Sequence, residues 1–177
     1  MSKKSNVVLI GFMGTGKTSI GKILATRLGC AFIDLDHKIE SDNKMTIPNI
    51  FKKYGEAHFR ELERKAVQEV SERRGIVIAT GGGTVKNSEN MRLLRENGVV
   101  ICLKADVDEI LYRTEHRGDR PVLDNQHKTE GDRRAAIEKL LEERREYYEQ
   151  ADYTVDTTKW SPLQITEDIC EYIRSDG

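Results

Sequence analysis

The stretch that most constrains this chain is a glycine-rich turn at residues 11–18, with the sequence GFMGTGKT. It fits the pattern G-x-x-x-x-G-K-[ST], which binds phosphate groups where a strand passes into a helix. Residues 7–10 are apolar and mostly β-branched, and they predict a buried strand before the turn. Residues 20–28 carry apolar side chains at helical spacing and are followed by Gly29, which is a fitting helix stop. The turn therefore stands in the context that a phosphate-binding P-loop needs.

The residue types of this turn suit a nucleoside triphosphate. Glycine lets the backbone curl tightly and point its N–H groups inward, where they form an anion cradle with the helix N-terminus. Lys17 can reach the β- and γ-phosphates, and the hydroxyl of Thr18 can coordinate Mg²⁺. The alternative is a chance match to a short pattern, which the flanking strand and helix argue against. We expect ATP to be bound at Gly14, Thr15, Gly16, Lys17, Thr18 and Ser19.

Length and composition indicate a single globular domain over residues 1–177. The net charge is −1, so no global field favours nucleic acid. The apolar runs are too short to span a bilayer, and the first residues lack the features of a signal peptide. The three cysteines have no metal-ligand spacing. We therefore expect a cytoplasmic monomer that binds neither nucleic acid nor membranes.

Strand-like and helix-like segments alternate along the chain. The predicted strands are residues 7–10, 31–34, 76–79, 99–103 and 153–155. Such alternation predicts an α/β fold, a three-layer sandwich whose five-stranded, mostly parallel sheet carries helices on both faces. Ligands of such sheets bind beyond the carboxyl ends of the strands. The polar segment 113–130 has no clear period, and we expect it to form a mobile lid over the nucleotide.

Two carboxylates follow the second predicted strand. Asp34 and Asp36 are spaced to lie on the same side of an extended chain, near the γ-phosphate if their strand borders the P-loop strand. The third strand ends without a carboxylate, so Asp34 is the best candidate for a second Mg²⁺ anchor, through water. Asp36 would then orient or deprotonate an acceptor hydroxyl. A helix-capping role remains the alternative for Asp36.

A run of three glycines, residues 81–83, follows the third strand. Such a turn lets a ligand approach the backbone and exposes N–H donors, although a plain tight turn is the alternative. Arginines 113, 117 and 120 cluster in the expected lid, where cations that close over a triphosphate stabilise the transferring phosphoryl group. For Arg60, Arg144 and Arg145, a solvated surface charge is the default interpretation.

Taken together, these residues resemble the shikimate kinase family. The matching pieces occur in the family's order and span nearly the whole chain: residues 11–18, Asp34-Leu35-Asp36, Phe59-Arg60-Glu61-Leu62-Glu63, Gly81-Gly82-Gly83, Arg120-Pro121-Val122-Leu123, and Arg144 four residues before Tyr148. The P-loop alone indicates only a nucleotide. The remaining motifs are much more specific.

The resemblance implies an ATP- and Mg²⁺-dependent kinase that phosphorylates the 3-hydroxyl of shikimate, on the route to the aromatic amino acids. It implies that Asp36 contacts the acceptor hydroxyl and that Arg60 and Arg144 hold the shikimate carboxylate, with bidentate guanidinium pairing. The other implied roles are a substrate pocket at Phe51, Phe59, Glu63, Gly81, Gly82 and Gly83 within a substrate-binding region that includes segment 34–63, phosphate contact by Lys17 and Arg120, and an adenine site at Arg113, Trp160 and Pro162.

Three questions stay open at the level of sequence. Arg145 directly follows Arg144, which leaves a one-residue ambiguity in the carboxylate ligand. Asp36 is either a true base or only a positioning group. The alternative functions are a P-loop kinase for another small acceptor, such as gluconate or a nucleoside monophosphate, and a nucleotide-binding switch without an acceptor.

Overall fold

The computed structural model describes residues 4–115 and 129–175. The strands are β1 (Asn6–Gly11), β2 (Ala31–Asp34), β3 (Ile76–Ala79), β4 (Gly98–Lys104) and β5 (Tyr153–Asp156). The helices are α1 (Lys17–Leu28), α2 (Leu35–Asn43), α3 (Ile47–Tyr54), α4 (Glu56–Ser71), α5 (Ser88–Asn97), α6 (Val107–Glu115), α7 (Glu130–Glu149) and α8 (Pro162–Ser175). A 3₁₀ turn covers Thr84–Lys86.

The five strands form one sheet in the order β2-β3-β1-β4-β5, and every neighbouring pair is parallel. The predicted α/β fold is therefore confirmed. Because β1 lies in the centre and its P-loop follows it, the strands on either side end close to the phosphate-binding turn. The carboxyl ends of β2 and β3 bring Asp34 and residues 81–83 to the same edge of the sheet.

Alternating side chains of β1 point into two separate apolar layers. Val8 and Ile10 pack with α2, α3, α4 and α5 on one face, and Val7 and Leu9 pack with α1 and α8 on the other. A smaller cluster, centred on Phe12 and Ile137, joins α6 and α7 beside the P-loop. The arrangement is the three-layer sandwich that the alternating pattern predicted.

Helix α2 ends at Asn43 and α3 begins at Ile47, and Pro48 stands in the first turn of α3, where no backbone N–H is needed. One detail of the sequence prediction changes. Residues 113–115, expected in a lid, continue α6. The rest of the lid prediction, including Arg117, Arg120 and Pro121, lies outside the described residues. Within the described ranges, no helix combines the length and apolar character needed to cross a membrane.

Candidate active site

The P-loop connects β1 to α1 through a turn whose glycines adopt positive φ angles. Gly14 has φ 78° and Gly16, the N-cap of α1, has φ 100°, conformations that other residues rarely adopt. The ammonium group of Lys17 donates to the carbonyl oxygens of Gly11 at 2.7 Å and Phe12 at 3.0 Å. Lys17 therefore lies across the turn, at the place where a phosphate group would meet it.

Thr18 and Asp34 are brought together at the P-loop end of the sheet. The Thr18 hydroxyl donates to Asp34 Oδ2 at 2.6 Å, and Asp34 Oδ1 accepts from the backbone N–H of His37 at 3.2 Å. Asp34 rather than Asp36 is therefore the residue that caps α2. Two hard oxygen donors side by side suit Mg²⁺, which binds one or two protein oxygens, keeps several waters and takes its other ligands from phosphates. Among the described residues, no group of three or more His, Cys, Asp and Glu side chains could hold a metal.

Asp36 lies in the first turn of α2 and is half-buried. The pKa of its carboxyl group is raised from 3.8 to about 6, chiefly by burial and next by the negative charge of Asp34, while the positive charge of Lys17 acts in the opposite direction. This pKa lies close to neutrality, where a carboxylate is a better proton acceptor than an ordinary aspartate. The electrostatic effect of Lys17 also indicates that Asp36 lies within reach of the P-loop.

Each glycine of residues 81–83 leaves space for one charged side chain. A β-carbon at the first glycine would lie 2.7 Å from Asp36 Oδ1, one at the second 3.0 Å from Arg144 Nη1, and one at the third 2.7 Å from Arg60 Nη2. None of the three glycines has a positive φ angle. Glycine is therefore required here for space rather than for backbone conformation, and the turn gathers a carboxylate and two guanidinium groups.

Arg60 is held by a buried carboxylate. Its Nη1 donates to Glu63 Oε1 at 2.8 Å, and the other oxygen of Glu63 accepts the hydroxyl of Thr84 at 2.9 Å. The Glu63 side chain is only 3% exposed, whereas that of Arg60 is 37% exposed. Because both carboxylate oxygens of Glu63 accept hydrogen bonds, Glu63 is held in place and in turn fixes Nη1 of Arg60. The other nitrogen atoms of this guanidinium group lie nearer the surface of the cleft.

Two aromatic rings lie beside Arg60 in the cleft. The rings of Phe51 and Phe59 lie 4.9 Å apart, and the guanidinium carbon of Arg60 lies 5.1 Å from the centre of the Phe59 ring. Phe59 is buried, while Phe51 is half-buried. These rings give the cleft an apolar wall next to a cation.

Arg144 and Arg145 have opposite environments. Arg144 is 7% exposed, its guanidinium carbon lies 5.5 Å from the centre of the Phe12 ring, and its Nε and Nη1 have no hydrogen-bond partner within the described part of the chain. The side chain of Arg145 is 63% exposed and pairs with Glu142 and Glu149. The surface-charge interpretation thus fits Arg145 and is wrong for Arg144. Buried donors without partners indicate that Arg144 is aimed at an anion.

The residues expected around adenine lie on the other side of the P-loop. Trp160 is 49% exposed and lines a cavity of about 320 Å³ together with Asp106, Thr158 and Lys159. Pro162 begins α8. Arg113 donates to the backbone carbonyl of Gly14 at 3.1 Å, so it is tied to the P-loop itself.

The family model for shikimate kinase matches residues 13–174. The chain belongs to the shikimate kinase family. Shikimate kinases of Thermodesulfovibrio yellowstonii and Thermoanaerobacter pseudethanolicus are 42% and 44% identical to it, and each alignment covers 96% of this chain and 95% and 96% of those proteins, respectively. A solved shikimate kinase from Acinetobacter baumannii in complex with shikimate has a TM-score of 0.90 and 35% identity, and covers 97% of this chain and 94% of that one.

Membership of the shikimate kinase family confirms the resemblance seen in the sequence and identifies an ATP-using kinase. Two further polar residues at the site, Thr84 and Thr157, escaped sequence analysis, and Tyr148 appeared there only as part of a family motif. Thr84 donates to Glu63, the hydroxyl of Tyr148 donates to the carbonyl oxygen of Gly82 at 3.3 Å, and the hydroxyl of Thr157 lies 3.0 Å from the carbonyl oxygen of Thr15. Thr157 directly follows β5, so its place beyond a strand end was a usable signal, whereas Thr84 gave none.

Proposed function

We propose that this chain transfers the γ-phosphoryl group of ATP to the 3-hydroxyl of shikimate, in the biosynthesis of chorismate and the aromatic amino acids. The observation that carries the proposal is the convergence of Asp36, Arg60 and Arg144 on the turn at residues 81–83, next to the P-loop. A β-carbon at Gly82 would lie 4.0 Å from the backbone nitrogen of Met13 in the P-loop. A small carboxylated polyol in this cleft would therefore lie beside the phosphate-binding turn.

The two arginines bind the carboxylate of shikimate in this proposal. Arg144 supplies unpaired donors from a buried position, and Arg60 supplies a guanidinium group that Glu63 holds in place. Guanidinium groups pair with carboxylates through two parallel hydrogen bonds, which fixes the orientation of the acceptor as well as its position. Phe51 and Phe59 line the pocket, and the residues at 81–83 approach the ring hydroxyls through their backbone.

Asp36 receives the proton of the acceptor hydroxyl or holds that hydroxyl in line with the phosphorus atom. The carboxyl pKa of about 6 leaves it mostly ionised at neutral pH and still able to accept a proton. Positioning and charge stabilisation supply most of the rate enhancement in phosphoryl transfer. Lys17 and the P-loop N–H groups bind the phosphate oxygens, and Arg120 adds a second cation.

Thr18 and Asp34 hold Mg²⁺ in this proposal, Asp34 through water. The ion, when bound, neutralises charge on the β- and γ-phosphates. The 2.6 Å contact between the Thr18 hydroxyl and Asp34 Oδ2 supports a shared role for the two residues. All the proposed site residues belong to one chain, so we propose that the monomer is sufficient for activity.

The direct test is ADP release coupled to a reporter reaction, with shikimate, gluconate and a nucleoside monophosphate as separate acceptors. We expect shikimate alone to stimulate ADP release and the product to be shikimate 3-phosphate. Stimulation by gluconate or a nucleotide, but not by shikimate, would overturn the assignment of the acceptor. Slow ATP hydrolysis that no acceptor accelerates would instead indicate a nucleotide-binding switch.

A further inference from the structure

The carbonyl groups of the P-loop carry their own hydrogen bonds. For the N–H groups of this turn to point inward at phosphate, its carbonyl groups must point outward, and an outward carbonyl in a packed protein needs a donor. Within the turn, the carbonyl oxygen of Phe12 accepts from the Thr15 hydroxyl at 2.7 Å and from the Lys17 ammonium group at 3.0 Å. The carbonyl groups of Gly14 and Thr15 receive donors from outside the loop, namely Arg113 and Thr157.

Arg113 is committed to the protein through four hydrogen bonds. Its Nε donates to Glu109 at 2.7 Å, its Nη1 donates to Gly14 O and to Thr157 Oγ1 at 3.1 Å each, and its Nη2 donates to Thr157 O at 2.9 Å. Guanidinium has five N–H groups in a fixed plane. Most of the hydrogen-bond donors of Arg113 are therefore occupied in joining α6, the P-loop and Thr157, the residue after β5.

Thr157 completes this junction from a fully buried position, with 0% exposure. Its hydroxyl lies 3.0 Å from the carbonyl oxygens of both Thr15 and Lys104, and its backbone N–H donates to Lys104 O at 2.8 Å. The same hydroxyl accepts from Arg113. Thr157 thus links the end of β4 to the P-loop through one side chain.

The close approach of α6 supports the same junction. A β-carbon at Gly14 would lie 3.1 Å from Thr114 Cγ2 and 3.8 Å from the Cβ of Arg113. There is little room for this part of the P-loop to move toward α6. Separately, loss of a donor from the junction would leave a carbonyl group of the loop unpaired, which destabilises the conformation that the loop adopts here.

We propose that Thr157 is a positioning residue for phosphate binding, and that Arg113 acts with it by holding the P-loop carbonyls outward. This inference rests on the proposed function, in which the P-loop binds the triphosphate of ATP. It assigns to Thr157 a role in shaping the phosphate cradle, and it gives Arg113 the same role in addition to contact with adenine. The inference predicts that both residues affect a ligand that has phosphates and no base.

The test measures the dissociation constants of MgATP and of magnesium tripolyphosphate by calorimetry. Thr157→Val keeps the shape of the side chain and removes the hydroxyl. We expect this variant to raise the dissociation constants of both ligands by the same factor, about threefold to tenfold, because one buried hydrogen-bond partner is lost. Thr157→Ser should restore both affinities. Loss of ATP affinity with unchanged tripolyphosphate affinity, or no loss of either, would overturn the proposal.

Two further variants keep the result interpretable. Arg113→Lys retains the charge but cannot form the four hydrogen bonds of the junction, so it should also raise both dissociation constants. This variant tests the proposal independently if Thr157→Val fails to fold. Ser71→Ala removes a buried hydroxyl that donates to Gln68 O at 2.8 Å, before the start of β3, and should change neither constant. If the unmodified protein binds no MgATP, the proposed function fails. If it binds MgATP and both junction variants bind tripolyphosphate normally, only this inference fails.

Discussion

The guanidinium group of Arg144 occupies the space that a side chain at Gly82 would need, because a β-carbon there would lie 3.0 Å from Arg144 Nη1. Gly82 has no positive φ angle, so its backbone does not require glycine. The contact joins two segments that are far apart in sequence, the turn after β3 and the C-terminal part of α7. The absence of a side chain at one position thus sets where a buried cation lies.

Gly82→Ala should disturb shikimate binding through Arg144. The backbone N–H remains and the neighbouring atom is the end of a flexible side chain, so the fold should survive while the guanidinium group moves. We expect the KM for shikimate to rise roughly tenfold and the KM for ATP to stay within about twofold. In a protein that already carries Arg144→Ala, Gly82→Ala should not raise the KM for shikimate any further. Steady-state kinetics of the two single variants and the double variant measure this coupling. An equal loss in both backgrounds would mean that the methyl group contacts the substrate directly.

Arg144→Met should stabilise the ligand-free protein and abolish its response to shikimate. A buried guanidinium group with unpaired Nε and Nη1 costs free energy that an apolar side chain of similar length does not. We expect the free energy of unfolding to rise by about 1 kcal/mol or more, as measured by denaturant titration. Arg145→Met, which removes an exposed and paired arginine, should change it by less than about 0.5 kcal/mol. A less stable Arg144→Met variant would contradict an anion site at Arg144.

Arg60 and Arg64 form a matched pair on α4. Arg60 borders the turn at residues 81–83 and bonds to buried Glu63, whereas Arg64 pairs with Glu61 on the exposed face. Arg60→Ala should raise the KM for shikimate by roughly 30-fold or more, because a charged partner of the carboxylate is lost, with little change for ATP. Arg64→Ala should leave both constants unchanged. An equal effect of Arg60→Ala on shikimate and ATP would argue against carboxylate binding.

Asp36 should make stability depend on pH in a defined direction. Its pKa in the folded protein is about 6, above the ordinary 3.8, so the folded state keeps this proton to higher pH than the unfolded state. The free energy of unfolding of metal-free protein should therefore fall between pH about 4 and 6, by about 3 kcal/mol, and stay lower above that range. Asp36→Asn should remove this fall while lowering turnover by roughly 100-fold or more.

Denaturant titrations at several pH values measure the first effect, and steady-state turnover measures the second. Asp42→Asn, at the exposed end of the same helix, should retain the fall of the unmodified protein. A profile for Asp36→Asn that runs parallel to that of the unmodified protein would show that burial of this carboxyl group does not raise its pKa.

Asp34→Asn should raise the Mg²⁺ concentration needed for half-maximal turnover. The amide keeps one oxygen, which can accept from Thr18 or from the N–H of His37 but not from both, and it loses the negative charge that attracts a divalent cation. EDTA should abolish turnover of the unmodified protein and added Mg²⁺ should restore it. A metal requirement identical in both proteins would exclude Asp34 as an anchor.

Local chemistry determined much of what could be predicted. The glycines and the apolar segments around residues 11–18 specify a strand, a tight turn and a helix through contacts within a few residues. Strands and helices can be told apart in the sequence because their apolar periods differ. Their alternation then predicts a parallel sheet. The family motifs added the expected substrate, since they combine these residues in one order.

Contacts between distant segments decided the rest. Nothing within α7 distinguishes Arg144 from Arg145, because the buried face of a charged helix depends on what packs against it, here Phe12 and Gly82. Likewise, either Asp34 or Asp36 could cap a helix, and only the observed start of α2 chose Asp34. Thr157 meets Thr15 across 142 residues. The sequence by itself determined the phosphate-binding turn and the layered fold, through backbone preference and periodicity. The tertiary structure decided which polar side chains are buried together, since that depends on which surfaces meet when the chain folds.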